Sequence, residues 1–251
     1  AFVIFSPVIL IFNYSTNYKY ILILILSGII GIGLGDTFYL KSLNLIGTRK
    51  TLSIEALSPL IAAIAGNLFL DENLNLNAWI GIVIVTGALV KIIKKKSYLL
   101  DKDSNLILND NSLDKYIYSF LSVFCAVIAA LLSRFVFLES DLAPIFTTEI
   151  RLFGSIIFLC FITKMKLRLF ISNFERKEKN QFILSVLMGT NIGILLQQIV
   201  FQSLPIGIGW TLLSTSPIVS LLFTKKEEGI LTNEIIFITF LLFIGVCLIL
   251  L

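Results

Sequence analysis

Histidine is absent from this 251-residue chain, cysteine occurs three times, and charged residues make up only 14% of it. Without histidine, the commonest acid–base group near neutral pH and the commonest metal ligand are both missing. Cys125, Cys160 and Cys247 lie far apart in apolar runs. That spacing matches neither a zinc motif nor a disulfide framework, so they read as small apolar fillers. Soluble globular domains carry charge at ~25% of positions, so the scarcity here excludes an ordinary cytosolic enzyme and a disordered protein. There is no Walker loop and no GxSxG motif. Gly31-Ile-Gly33-Leu-Gly35 imitates a nucleotide loop only superficially, because it sits inside an apolar run rather than after a strand. The lysines cluster in loops without an aromatic platform, which gives nucleic-acid binding no support. No enzymatic activity, cofactor or metal is expected.

What the chain has in excess is apolar length. Apolar residues reach 57%, and the mean hydropathy is +0.96. Runs of ~20 apolar residues suffice to cross a bilayer as helices. Eight such runs follow an apolar stub at 1–12: about 20–43, 50–70, 77–93, 116–137, 143–163, 180–203, 207–223 and 232–251. Ile21 to Ile32 reads ILILILSGIIGI, without the polar face of a soluble helix or the alternation of a membrane β-strand. The expectation is an all-α, multi-pass protein of the cell (inner) membrane.

The sequence also repeats. At an offset of 158, Ser27 meets Ser185, Gly31 meets Gly189, Gly35 meets Gly193, Ser58-Pro59 meets Ser216-Pro217, Asn75 meets Asn233, and Gly87 meets Gly245. One period spans five helices, and an odd number turns the second copy over in the membrane. The fold expected is therefore two inverted five-helix repeats, a ten-helix bundle. This chain would carry helices two to five of the N-terminal repeat at 1–93, a polar linker at 94–115, and the C-terminal repeat at 116–251. On this register the first helix and part of the second are missing from the chain. Seventeen of the twenty Lys and Arg residues fall in alternate connections, and the positive-inside rule places those loops in the cytoplasm.

Two stretches now carry a resemblance: GDTFYLKSLNLIG…LSIEALSPLIAAIAGNLFLDENLNLNAWIGIVIVTGALV, and GTNIGILLQQIVFQSL…LLSTSPIVSLLF…IGVCLIL. A Gly-rich helix precedes a Pro-centred one. Then come an acidic turn, Asp71-Glu72, and a helix opening with Trp79 and Gly81. The pattern resembles the EamA-type branch of the drug/metabolite transporter superfamily. The resemblance implies ten helices, two inverted repeats, and export or exchange of small metabolites such as amino acids. It also implies cytoplasmic termini, which would put the basic loops outside, opposite to the Lys/Arg distribution. A further departure is Lys225-Lys226-Glu227-Glu228 where the first repeat has one acidic pair.

Polar side chains inside hydrocarbon are costly and mark a pathway or a helix contact. The candidate substrate pathway comprises Asp36 with Tyr39, Glu55 with Ser58, Glu149, Arg151, Asn191, Gln198, Gln202, Trp210 and Ser214. Pro59 and Pro217 are the helix-breaking positions. Asp36, Glu55 or Glu149 would bind a cationic group or exchange a proton, since apolar surroundings favour a neutral carboxyl. Arg151 would meet a carboxylate. The plain alternative is that polar residues glue helices, at ~0.6 kcal/mol per hydrogen bond, and that Asp36 or Glu149 merely neutralises Arg134 or Arg151. Ser27, Gly31 and Gly35, with Ser185, Gly189 and Gly193, read as close-packing faces. The expected partners are a small-molecule substrate and the lipid bilayer, with proton coupling possible and the oligomeric state open. The function expected is transport, more readily efflux, by alternating access. A lipid-linked intermediate flippase and a non-transporting sensor or subunit are the alternatives.

Overall fold

The computed structural model describes residues 17–100, 114–163, 176–215 and 233–250. The apolar stub, most of the linker, and Pro217 with the segment around it lie outside the described residues. Among those described, every regular element is helical and there is no strand. Helix α1 (Tyr18–Gly28) runs through a π-helical segment, Ile29–Gly35, into α2 (Asp36–Glu55). Then follow α3 (Ser58–Phe69), α4 (Leu76–Leu100), α5 (Asp114–Glu139), α6 (Pro144–Thr163) and α7 (Arg176–Ser185). A second π-helical segment, Val186–Ile192, leads into α8 (Gly193–Ser203), α9 (Ile206–Leu213) and α10 (Asn233–Leu250). Among the described residues, five stretches are long and apolar enough to cross a membrane: Tyr18–Thr48, Lys50–Phe69, Lys115–Glu139, Pro144–Ile162 and Gln181–Ser203. Leu76–Lys91 and Phe240–Ile249 are shorter apolar helices. Leu22, Leu26, Phe124, Phe161 and Leu184 are exposed, as suits side chains whose solvent is lipid.

The 158-residue register is visible in the backbone. Both π-helical segments are seven residues long, and the second lies one residue from the position that the register assigns to the first. Inside α2 the helix is broken at Gly47 (φ 81°, ψ 162°), a left-handed conformation that suits glycine. Its repeat mate is Pro205, which separates α8 from α9. Helix α2 ends at Glu55 and α9 at its mate, Leu213; turns follow at Ala56-Leu57 and at Ser214-Thr215. Each copy thus interrupts its helices at the same two places, the first between successive apolar runs, at Gly47 and Pro205, and the second inside a run, just before the positions of Pro59 and Pro217 in the sequence.

The chain divides into two compact units: Ala1–Asp36 with Ile128–Ser203, and Thr37–Val127 with Leu204–Leu251. Each draws on both sequence repeats. In the first unit, Leu24, Val136, Leu142 and Ile150 form the apolar core. Helix α1 approaches α6 so closely that a Cβ on Gly28 would sit 2.0 Å from the Arg151 carbonyl oxygen. Ser27 donates to the Ala129 carbonyl at 2.7 Å and pairs with Ser133 at 3.0 Å. The stripe Ser27, Gly31, Gly35 is therefore the packing face expected of it. Its mate is not: Ser185 and Gly193 are exposed, and nothing lies within 4 Å of a Cβ on Gly189. The two stripes match in sequence and differ in surroundings.

In the second unit the core joins Ala63, Ile82, Val85, Leu89, Leu242 and Ile249. Helix α4 packs along its repeat mate α10. A Cβ on Gly81 would lie 2.6 Å from Ile249 Cγ1, and one on Gly245 would lie 2.7 Å from Val85 Cγ2. Position 81 meets 249 while position 85 meets 245, so the pair runs antiparallel, consistent with opposite-facing copies. Asn75 caps α4 by accepting from the Ala78 amide at 2.7 Å.

Glycine contacts give the first test. Gly28→Val is expected to cost about 1–3 kcal/mol, since its Cβ meets backbone that cannot yield. Gly87→Ala, with nothing within 4 Å of the new Cβ, is expected to be neutral or slightly stabilising. Thermal unfolding midpoints of the two variants in detergent distinguish these outcomes.

Candidate functional site

In the first unit, Glu149 and Arg151 lie two residues apart on α6, and both are buried, at 0% and 4% exposure. Helix α6 meets neighbours on more than one side, so positions on different faces are both covered. Neither carboxylate oxygen of Glu149 has a hydrogen-bond partner among the described residues, nor do Nε and Nη1 of Arg151. The Arg151 guanidinium fits against the π-helical segment, where Nη2 would lie 3.4 Å from a Cβ on Gly31. What excludes a Cβ on Gly31 is Ala129, whose own Cβ would lie 2.6 Å from it. Asp36, at the end of that segment, is exposed and within electrostatic reach of Arg151.

Helix α8 adds Gln198, which is 0% exposed and has no partner for either amide atom among the described residues. Asn191, one π-helical segment earlier, is also buried. The expected amide stripe does not extend to Gln202, which is exposed and donates to the Leu142 carbonyl at 3.3 Å. Its own carbonyl, with that of Phe201, accepts from Arg134 at 2.8 and 2.9 Å. Arg134 thus serves the negative end of α8, where a cation is favoured. The structure therefore brings Asp36, Glu149, Arg151, Asn191 and Gln198 into one unit.

The remaining candidates belong to the second unit. Pro59 has no N–H to offer the Glu55 carbonyl, and Ser58 repairs the loss by donating its hydroxyl to that oxygen at 2.6 Å. The Glu55 carboxylate accepts from Ser122 of α5 at 2.8 Å. Tyr39 and Trp210 are half-buried, and Ser214 donates back to the Trp210 carbonyl at 2.8 Å. Ser58 and Ser214 thus hold helix ends.

One residue outside the candidate set has a defined role. The sequence presents Glu72 only as half of an acidic turn. Asp71 takes a left-handed conformation (φ 52°), which short polar side chains tolerate. That bend returns the chain over α3, where the Glu72 amide donates to the Gly66 carbonyl at 3.2 Å and Asn67 to the Glu72 carbonyl at 3.3 Å. The carboxylate then accepts from the Ile206 amide, the first of α9, at 2.7 Å. A Cβ on Gly66 would lie 3.0 Å from that carboxylate oxygen. An acid just past an apolar helix is the available signal, but its partner is 134 positions away.

Among the described residues no cluster of Cys, Asp and Glu is arranged to hold a metal ion. What the first unit offers is a carboxylate, a guanidinium and a carboxamide, buried with hydrogen-bonding capacity unused. Buried polar atoms are normally paired, and each exception calls for a water, a ligand or a functional reason. With its long apolar helices, the chain is a multi-pass α-helical membrane protein. The model of the EamA-like transporter family matches residues 1–93. No curated protein matches the chain.

Gln198 supplies a discriminating test. If its amide awaits a ligand, Gln198→Leu is expected to raise stability by about 1 kcal/mol, because an unpaired buried amide costs that much or more. An amide that instead holds helices together would make the same change destabilising. The thermal midpoint of the ligand-free protein decides between them.

Proposed function

We propose that the protein is an integral membrane permease for small polar metabolites, amino acids among them, working by alternating access and in the direction of efflux. The observation that carries this reading is the unused hydrogen-bonding capacity of Glu149, Arg151 and Gln198 in the first unit. A charged group in hydrocarbon is functional by default, since its burial must be offset by a partner in some state of the cycle. Arg151 would take a carboxylate of the substrate, Glu149 a cationic group or a proton, and Gln198 with Asn191 neutral polar groups. Asp36 stands at the exposed margin of this set. Glu55, Ser58, Gln202, Trp210 and Ser214 would act through the helix ends they occupy, and Tyr39 by stacking. The EamA-like match over residues 1–93 supports transport as the activity, and the interruption at Ala56-Leu57, inside the 50–70 run, gives that helix a place to bend.

Counterflow in liposomes tests the reading. Vesicles preloaded with a mixture of unlabelled amino acids are expected to accumulate labelled amino acid through the full-length protein. Arg151→Gln and Gln198→Leu are each expected to lower the rate by about tenfold or more, the loss of one charged or buried hydrogen bond. Exchange at wild-type rates in both variants would remove these residues from the pathway. A sensor or subunit would give no exchange at all. If Glu149 carries a proton, Glu149→Gln abolishes the pH dependence of exchange; an unaltered pH profile excludes it.

A further inference from the structure

The segment from Lys41 to Thr51 joins the apolar runs 20–43 and 50–70, and it meets the start of α5 inside the second unit. Buried hydroxyls fasten it there. Ser42 pairs with Thr51 at 2.8 Å and with Ser119 of α5, and Thr51 donates to the Gly47 carbonyl at 3.0 Å. Both ends of the connection are thereby tied together beside one turn of α5. That fixes two exposed lysines over two tyrosines. Lys41 donates to the Tyr118 hydroxyl at 2.8 Å and stands 4.0 Å from the centre of its ring. Lys50 stands 5.6 Å from the centre of the Tyr116 ring. Both lie within the ~6 Å over which an aromatic face attracts a cation.

The charge here is not offset along either segment. No Asp or Glu occurs in 37–54, which carries Lys41, Arg49 and Lys50, or in 115–138, which opens with Lys115. These residues stand where apolar runs end, the level at which tyrosine and lysine meet a membrane–water interface. Beside the cations the surface is apolar and open. Leu40 is exposed next to Lys41, and Tyr116 heads an i, i+4 row on α5 whose next members, Phe120 and Phe124, are exposed. A free anion makes no use of such a wall. A molecule with a negative head and apolar tails fits both parts.

We propose that Lys41 and Lys50, set over Tyr118 and Tyr116, bind the phosphate of an anionic phospholipid whose acyl chains lie along Phe120 and Phe124. Lys41 gives one of its three N–H donors to Tyr118, and the others serve phosphate oxygens. The tyrosines hold both ammonium groups at headgroup level, so the site is set before the lipid arrives. It goes beyond the transport reading and does not depend on it.

Native mass spectrometry of the full chain tests the site, with phosphatidylglycerol or phosphatidylcholine of the same acyl chains added in detergent. Lys41→Gln and Lys50→Gln are each expected to weaken phosphatidylglycerol binding about fivefold, the worth of one lysine near an anionic lipid surface, and the wild-type protein to prefer that lipid by about tenfold or more. Phosphatidylcholine binding is expected to stay the same in both variants. Lys41→Arg and Lys50→Arg keep the charge and are expected to keep the preference. Lys19→Gln, which removes a lysine of the first unit, is expected to change nothing. Equal affinity for the two lipids overturns the proposal, as does equal weakening by Lys19→Gln, which would assign the preference to overall charge. Displacement of phosphatidylglycerol by millimolar inorganic phosphate also overturns it, since the site would then take a free anion.

Discussion

Hydrocarbon offers no hydrogen bonds, and every other feature of this structure answers to that fact. A backbone amide or carbonyl left open in lipid costs several kcal/mol, so a helix can stop in mid-membrane only where something takes over its end. The described breaks obey this. Within the 50–70 run Ser58 donates to the carbonyl that Pro59 strands; at the connection between the 180–203 and 207–223 runs, Arg134 covers the end of α8 and Glu72 the start of α9. The polar residues of this chain are few because most positions face lipid or apolar core. Those that remain divide into groups that repair the backbone and groups with capacity to spare.

That division sorts the candidates more sharply than their positions in the sequence do. Ser58, Ser214, Ser27 and Arg134 spend hydrogen bonds on backbone carbonyls. Glu149, Arg151 and Gln198 hold atoms that do not. Stability alone would not retain them, because a well-packed apolar residue is often as good as a buried ion or better. The π-helical segments belong to the same logic. Such segments cluster at functional sites, and the first one, lined with glycine, is where the Arg151 guanidinium finds room beside Gly31.

Much of the architecture is legible in the sequence because lipid imposes a simple rule on composition. The spans at 20–43, 116–137 and 143–163 follow from apolar length alone, and the structure places helices there. The repeat register is legible because the same interruptions recur at fixed spacing, and the paired breaks at Gly47 and Pro205 give it a physical meaning. The π-helical segments are not legible, since ILILILSGIIGIGLG reads as an unbroken apolar helix and the extra residue per turn leaves no mark on composition. The role of Glu72 is hidden because its partner is a backbone amide on a remote segment, and backbone amides have no sequence signature. Helical periodicity assigns Gln202 to the stripe of Asn191 and Gln198, but the end of α8 is drawn toward Arg134 and Leu142 instead. The matching stripes of small residues show a further limit: identical spacing in the two copies serves packing at Ser27 and Gly31 and an open face at Gly189.

Glu149, Arg151 and Gln198 carry the proposed function: they are buried, with atoms that find no hydrogen-bond partner among the described residues. A thermal-shift screen of small metabolites on the full-length protein in detergent addresses this most directly. A ligand that occupies these groups at about a hundred times its Kd adds about 2.7 kcal/mol to stability. At least one polar metabolite is therefore expected to raise the unfolding midpoint of the wild-type protein and to lose that effect in Arg151→Gln. A screen in which no metabolite moves the midpoint, or in which one moves wild type and Arg151→Gln equally, would contradict it.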